Sequence, residues 1–302
     1  MGQRWKCSLA ILMLLASAVA GKAQHPSPSH SYLGFDRNEY PGDAALPALH
    51  KSFHYTSYWL NNPPGAQQNS WAGKRALLKQ SGFGFLVLFN GRAYKELKGA
   101  DAVALGIADG KAAVAAAVRE GFPKNVIIFL DQEEGGRLLQ EQSDYILAWA
   151  DAVRAGGARA GIYCSGIEVV DSSGPTSTAR DIVVLESLIR TCRDMPPGSE
   201  ICIGSKNEPQ ERLRLWIADD QCPPSPGCTP QLPLLDAINS VELAGHVVVW
   251  QYAQSPRRAQ FSAHCPANQA PDGNCYAPGL APSANTFVDL NTADSPDPSE
   301  AP

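Results

Sequence analysis

Eight short runs dominated by apolar and β-branched residues punctuate the chain, at 33–36, 53–59, 83–90, 126–131, 160–164, 214–218, 247–252 and 286–289. Most are continuous rather than alternating, the pattern of strands buried on both faces in a parallel sheet. Helical periodicity falls between several of them. Residues 71–80 form one such segment, and 101–120 is Ala-rich with Val103, Ile107, Val114 and Val118 at helical spacing. Residues 136–155 put Leu138, Tyr145, Ile146, Trp149 and Val153 on one stripe, with Gly156-Gly157 to end it. Residues 178–193 and 232–243 complete the set. Strand and helix in alternation predict an α/β architecture with a parallel sheet. Eight strands favour a single (β/α)8 TIM-like barrel. A doubly wound open sheet is the alternative, but no Gly-x-Gly-x-x-Gly follows the first run. The loops after the later strands, 205–213, 219–231 and 253–285, are long. In a barrel they would form the rim of the C-terminal face, where sites are built.

The ends read differently. Arg4 and Lys6 precede an apolar run from Cys7 to Ala20, followed by small residues suited to cleavage. Residues 1–23 are therefore expected to be a Sec-type signal peptide, placing the protein outside the cell or in a periplasm. An uncleaved anchor is the rival reading, disfavoured because the run is short for a membrane span of about 20 residues. Residues 24–31 form a Pro/Ser/His-rich spacer, the barrel is expected over 32–293, and the Pro-rich polar stretch 294–302 reads as a disordered tail.

Seven cysteines follow the leader. Proximity suggests pairing Cys192 with Cys202, Cys222 with Cys228 and Cys265 with Cys275, giving disulfide-bearing loops, although six cysteines allow 15 connectivities. Cys164, inside an apolar run, reads as a buried free thiol. No Cys/His spacing suggests a metal site, and neither metal nor organic cofactor is expected. Net charge is −5, and losing Arg4, Lys6 and Lys22 leaves 22 basic against 30 acidic residues. That balance excludes the basic face of a nucleic-acid binder and adhesion to anionic lipid. After cleavage the protein is expected to be a monomer with no membrane insertion.

The candidate chemistry lies where hydrophobic strands end in acids. Ile127-Ile128-Phe129-Leu130 runs into Asp131-Gln132-Glu133-Glu134. If the strand continues, Asp131 and Glu133 point the same way, with Cα atoms roughly 6.5–7 Å apart. Asp36 closes the first run and Asp289 the last, and first and last strands are neighbours in a closed barrel. All four would then surround one mouth. Glycosidic cleavage needs such a cluster, one acid to protonate the leaving oxygen and another carboxylate to assist. Crowding also raises the pKa of one member. Tyr58, Trp59, Tyr163, Trp216, Trp250 and Tyr252 lie near strand ends and could stack on sugar faces. Arg37, Asn90, Arg92, Gln251 and Asn291 could hydrogen-bond to a sugar at the rim.

Six motifs occur in order: Gly34-Phe35-Asp36, Phe129-Leu130-Asp131-Gln132-Glu133, Ala160-Gly161-Ile162-Tyr163-Cys164-Ser165, Leu215-Trp216-Ile217-Ala218, Val249-Trp250-Gln251-Tyr252 and Phe287-Val288-Asp289-Leu290-Asn291. The series resembles that of the Chalaropsis-type lysozymes (glycoside hydrolase family 25). It is more similar still to the secreted bacterial glycoside-hydrolase-like domains related to them. The resemblance implies a TIM-like barrel and cleavage of β-1,4 bonds in peptidoglycan or a related cell-envelope polysaccharide. It implies Glu133 as general acid/base, Asp131 as the group orienting the sugar's N-acetyl substituent, and Asp36 and Asp289 as residues shaping the pocket. One departure is Arg37-Asn38-Glu39-Tyr40-Pro41-Gly42 after the first Asp, where the lysozymes carry a Ser-x-x-Gln/Asn-Gly-like element. The alternative function is a non-catalytic glycan-binding or cell-envelope scaffold protein on the same barrel.

Overall fold

The computed structural model describes residues 31–193, 212–219, 234–253, 275–276 and 287–301. Its strands are β1 (Tyr32–Asp36), β2 (Tyr55–Trp59), β3 (Gly84–Asn90), β4 (Ile127–Gln132), β5 (Arg159–Ser165), β6 (Val169–Asp171), β7 (Gly174–Thr176), β8 (Arg214–Ala218), β9 (Val247–Ala253), β10 (Cys275–Tyr276) and β11 (Phe287–Ala293). The helices are α1 (Leu46–Leu49), α2 (Arg75–Gln80), α3 (Tyr94–Leu97), α4 (Ala102–Arg119), α5 (Gln140–Ala155) and α6 (Thr178–Arg193).

The main sheet runs β1-β2-β3-β4-β5-β8-β9-β11, and β11 pairs back onto β1 to close an eight-stranded barrel. The eight apolar runs of the sequence are these eight strands. Two features depart from a regular (β/α)8 barrel. Neighbours from β1 to β9 are parallel, but β11 is antiparallel to both β1 and β9. The helix expected over 232–243 is also missing, and the described part of that segment holds only a 3-10 turn at Leu235–Ala237. Asn and Ser favour turns over helix interiors, as at Asn239 and Ser240, and Val241 is 96% exposed, while Leu235, Ile238 and Leu243 reach the core from the turn itself. The result is a mixed α/β fold around a closed barrel. The hairpin of β6 and β7, which strand periodicity did not reveal, follows β5.

Helix α4 packs on α5 with a face other than its valine stripe. Val103, Ile107 and Val118 are exposed, while Ala102, Gly106, Gly110, Ala113, Ala116 and Ala117 are buried. Small residues win because the helices approach closely: a Cβ on Gly106 would lie 2.5 Å from the Tyr145 carbonyl oxygen, and one on Gly110 2.7 Å from that of Trp149. The α5 stripe behaves as its periodicity predicts, with Tyr145, Ile146, Trp149 and Val153 buried.

Residues 294–301 are not the disordered tail that composition suggested. Ser299 is wholly buried at the N-terminal ends of β3 and β4. Its Oγ accepts from Val87 N (2.9 Å), its N–H donates to Phe85 O (3.0 Å), and its carbonyl accepts from Ile127 N (2.8 Å). Asp297 Oδ1 accepts from Phe85 N, and Glu300 pairs with Arg75 and Lys79. Polar side chains that read as solvated satisfy backbone groups at the barrel base, which cannot be left unpaired once buried.

Candidate active site

Alternation along each strand decides what enters the barrel. In β4, Phe129 faces inward against Trp216 (ring centroids 5.8 Å apart), and Asp131, two residues on, follows it. Register sets Asn90, Asp131, Tyr163 and Trp216 side by side across β3, β4, β5 and β8. On β1, Asp36 is 9% exposed and faces Gln251 of β9 and Asn291 of β11. Its Oδ1 accepts from Gln251 Nε2 (2.8 Å) and Asn291 Nδ2 (2.7 Å). Tyr163 Oη donates to Gln251 Oε1 (2.8 Å), and Trp216 Nε1 donates to Asn291 Oδ1 (2.8 Å). One chain of hydrogen bonds thus runs from Tyr163 through Gln251, Asp36 and Asn291 to Trp216.

Asp289 stands opposite Asp36 in the β1–β11 register. It was expected at the C-terminal end of a parallel strand. It lies instead near the start of an antiparallel one, and the two differences cancel to leave it at the same mouth. Its charge acts on Tyr163 and on the Arg37 guanidinium.

The acids perturb one another. Burial pushes Asp36 up to about 6, against the pull of the Asn291 and Gln251 hydrogen bonds, and the Glu133 charge adds to the rise. Asp131 is driven well above the ordinary carboxylate range, first by burial and then by the charges of Glu133 and Asp36. Its Oδ1 is buried without a hydrogen-bond partner. Glu133 is reachable from solvent, yet enclosure by neighbouring protein raises its pKa too. Glu134 is tied down instead, accepting from Tyr94 N (2.8 Å) and Gln142 Nε2 (2.9 Å). Among the described residues, no three His, Cys, Asp or Glu side chains are grouped so that they could hold a metal ion.

Of the residues singled out in the sequence, Asp36, Asp131, Glu133, Asp289, Tyr163, Gln251, Asn291 and Trp216 meet here, with Asn90 beside Asp131. Trp216, 1% exposed beneath Tyr163, supports the site rather than offering a face to a sugar. Other expected contacts are engaged elsewhere. Tyr58 points out of the barrel, donates to Glu120 Oε2 (2.5 Å) and packs on Trp71, Phe85 and Phe122. Trp250 precedes the inward Gln251 and so faces outward, its Nε1 donating to the Asp219 carbonyl, and Tyr252, at the irregularity in the β9–β11 register, packs edge-on against Trp250. Arg92 is held by Asp109 through two bonds of 2.6 and 3.0 Å. Arg37 is pinned through its backbone by Ser57 and the Trp59 indole, leaving its buried Nε unpartnered. Sequence reasoning overlooked Asn61, whose side chain bonds both the N–H and the carbonyl of Asn90. An Asn-Asn pair closing the second strand was the available signal.

Cys164 is buried and free. The three suggested disulfides and most of the long late loops fall outside the described residues. No helix among the described residues is long and apolar enough to cross a membrane.

Residues 53–184 match the family model of the Rv2525c-like, glycoside hydrolase-like domain. No curated protein matches the chain. Among solved structures, an uncharacterized B. stearothermophilus protein superposes with a TM-score of 0.51 at 17% identity, over 87% of this chain and 95% of that one. The Clostridium perfringens spore cortex lytic enzyme SleM gives 0.49 at 16% identity, over 90% of this chain and 70% of the enzyme. The Mycobacterium tuberculosis Tat-secreted protein Rv2525c gives 0.45 at 11% identity, over 87% and 94%. At 17% identity the first likeness is one of barrel fold alone. Over residues 53–184 the chain is thus similar to the Rv2525c-like, glycoside hydrolase-like domain.

Proposed function

We propose that this protein is a secreted glycosidase that cleaves β-1,4 bonds of peptidoglycan or a related cell-envelope polysaccharide, with Glu133 as acid/base and Asp131 assisting. The observation that carries the reading is the pair of acids at the end of β4: a buried carboxyl with an unpartnered oxygen beside a solvent-reachable one, both raised in pKa. Interacting acids of this kind titrate as a unit, so that the proton burial favours belongs to the pair. In the free protein the buried Asp131 favours the neutral form. An acetamido N–H donated to Asp131 Oδ1 favours its charged form instead, which leaves the shared proton to Glu133, the group open to a glycosidic oxygen. Asp131 then holds the N-acetyl oxygen toward the anomeric carbon, the substrate-assisted variant of glycoside hydrolysis. Asp36 and Asp289 shape the pocket, and the Tyr163–Gln251–Asp36–Asn291 chain holds it rigid. Tyr163, Gln251, Asn291 and Asn90 are the residues in reach of the sugar. Export by the N-terminal leader and action as a monomer belong to the same proposal.

The test is Glu133→Gln. Release of reducing ends from purified wall glycans is expected to fall by at least two orders of magnitude, the usual weight of a general acid, with the melting temperature unchanged. Unaltered turnover would remove Glu133 from the mechanism. Binding without hydrolysis by the wild-type protein would favour the non-catalytic scaffold.

A further inference from the structure

Strand β4 fixes Asp131 but not Glu133. The ladder ends at Gln132, opposite Cys164 of β5, so Glu133 is the first residue beyond it. Gly135 and Gly136 follow Glu134, and Gly136 takes a left-handed φ of 95°. Glycine lacks the Cβ that limits backbone rotation. The bonds at and beyond this pair, Thr178 Oγ1 to Gly136 O and Leu138 N to Asp181 Oδ2 (2.9 Å each), therefore anchor the loop on α6 without fixing residue 133.

Glu134 stands between the strand and the glycines. Its Oε2 accepts from Tyr94 N (2.8 Å) at the start of α3 and from Gln142 Nε2 (2.9 Å) on α5. Gln142 is itself buried, and its Oε1 accepts from Leu139 N (2.9 Å), which fixes the amide so that Nε2 faces Glu134. Residue 133 is thus held on one side by the sheet and on the other by a carboxylate bound to two helices. Adjacent Cα atoms are about 3.8 Å apart, so a shift of Glu134 passes directly to Glu133. Both glutamates line the 340 Å³ cavity that Asp131 also borders. The Glu133 charge acts there on Asp131 and Asp36.

We propose that Glu134 is a positioning residue: bonded to Tyr94 N and Gln142, it keeps the Glu133 carboxyl turned into the cavity beside Asp131. The proposal rests on the glycan-cleaving reading of the acid pair. Three variants test it. Glu134→Ala removes the acceptor. Gln142→Glu keeps an acceptor for Leu139 N but replaces the donor with a carboxylate. Glu134→Gln keeps an oxygen able to take both donors. Misplacement by about 1 Å can cost on the order of 10²-fold in rate. In the first two variants kcat for release of reducing ends from wall glycans is expected to fall about tenfold or more with KM nearly unchanged, and Glu134→Gln should recover most of it. NMR titration of the Glu133 carboxyl carbon adds a readout that needs no turnover. Burial holds this carboxyl above its ordinary 4.5, and in Glu134→Ala it should return toward that value as the side chain reaches solvent. Glu134→Gln removes the same negative charge and should leave the titration high, which separates placement from charge. The other charged groups around Glu133, namely Asp131, Asp36, Glu96, Arg92 and Lys95, are the same in both. Unchanged kcat in Glu134→Ala or Gln142→Glu, an equal loss in Glu134→Gln, or a titration that Glu134→Ala leaves unmoved overturns the proposal. If the wild type releases no reducing ends, the glycan-cleaving reading falls and the titration alone decides the positioning. Should Glu134→Ala fail to fold, Gln142→Glu decides it.

Discussion

Asp36 shows how one carboxyl can be well bonded and still costly to ionise. Two amide donors favour its charge, yet burial outweighs them and holds its pKa at about 6. A carboxyl whose pKa is higher in the folded protein than in the unfolded chain makes the native state bind the proton more tightly. Its contribution to stability is present below the ordinary value of 3.8 and is lost as pH rises through about 6. Asp36→Asn keeps an oxygen for Gln251 and Asn291 and removes the charge. Denaturant unfolding is expected to show the variant more stable at pH 8, by on the order of 2 kcal/mol, with the difference gone by pH 3.5. A difference independent of pH would mean that Asp36 is not held in this way. Single residues of this kind were legible as candidates because acids that end apolar strands are conspicuous. The amide partners Gln251 and Asn291 were legible only as rim donors, since nothing local says that strands so distant in sequence aim both at Asp36.

At the scale of elements, hydrophobic periodicity located every barrel strand, and α6 at the residues expected, but it misjudged α4. The valines are more hydrophobic than the glycines and alanines, so periodicity selects their face. The helix instead buries the face that lets its backbone come closest to α5. Gly106→Val is expected to cost about 2 kcal/mol or more by overpacking, whereas Val118→Glu, at a position 68% exposed, should fall within about 0.5 kcal/mol of wild type. Equilibrium unfolding of the two variants checks both. A larger effect at Val118 would restore the periodicity reading.

For the whole molecule, eight strands and a closed barrel could be read from the chain, but the direction of the last strand could not, because hydrophobicity carries no orientation. Composition also misled at 294–301, where tertiary contacts turn a polar segment into part of the base. Ser299→Ala leaves the Val87 N–H buried without its acceptor and should cost about 1–3 kcal/mol, while a variant ending at Ala293 should lose considerably more. Guanidinium titration of both tests this, and an unchanged midpoint for the shortened chain would show that the base closes without it. The joining of β11 to β1 sets Asp36 and Asp289 across from Asp131 and Glu133, and the proposed chemistry needs that meeting. It is tested most directly by a crystal structure of Glu133→Gln soaked with a wall-glycan tetrasaccharide. A glycosidic oxygen is expected within hydrogen-bond distance of the residue 133 amide, with an acetamido group on Asp131. A sugar bound away from these side chains, with the barrel mouth filled by solvent, would contradict it.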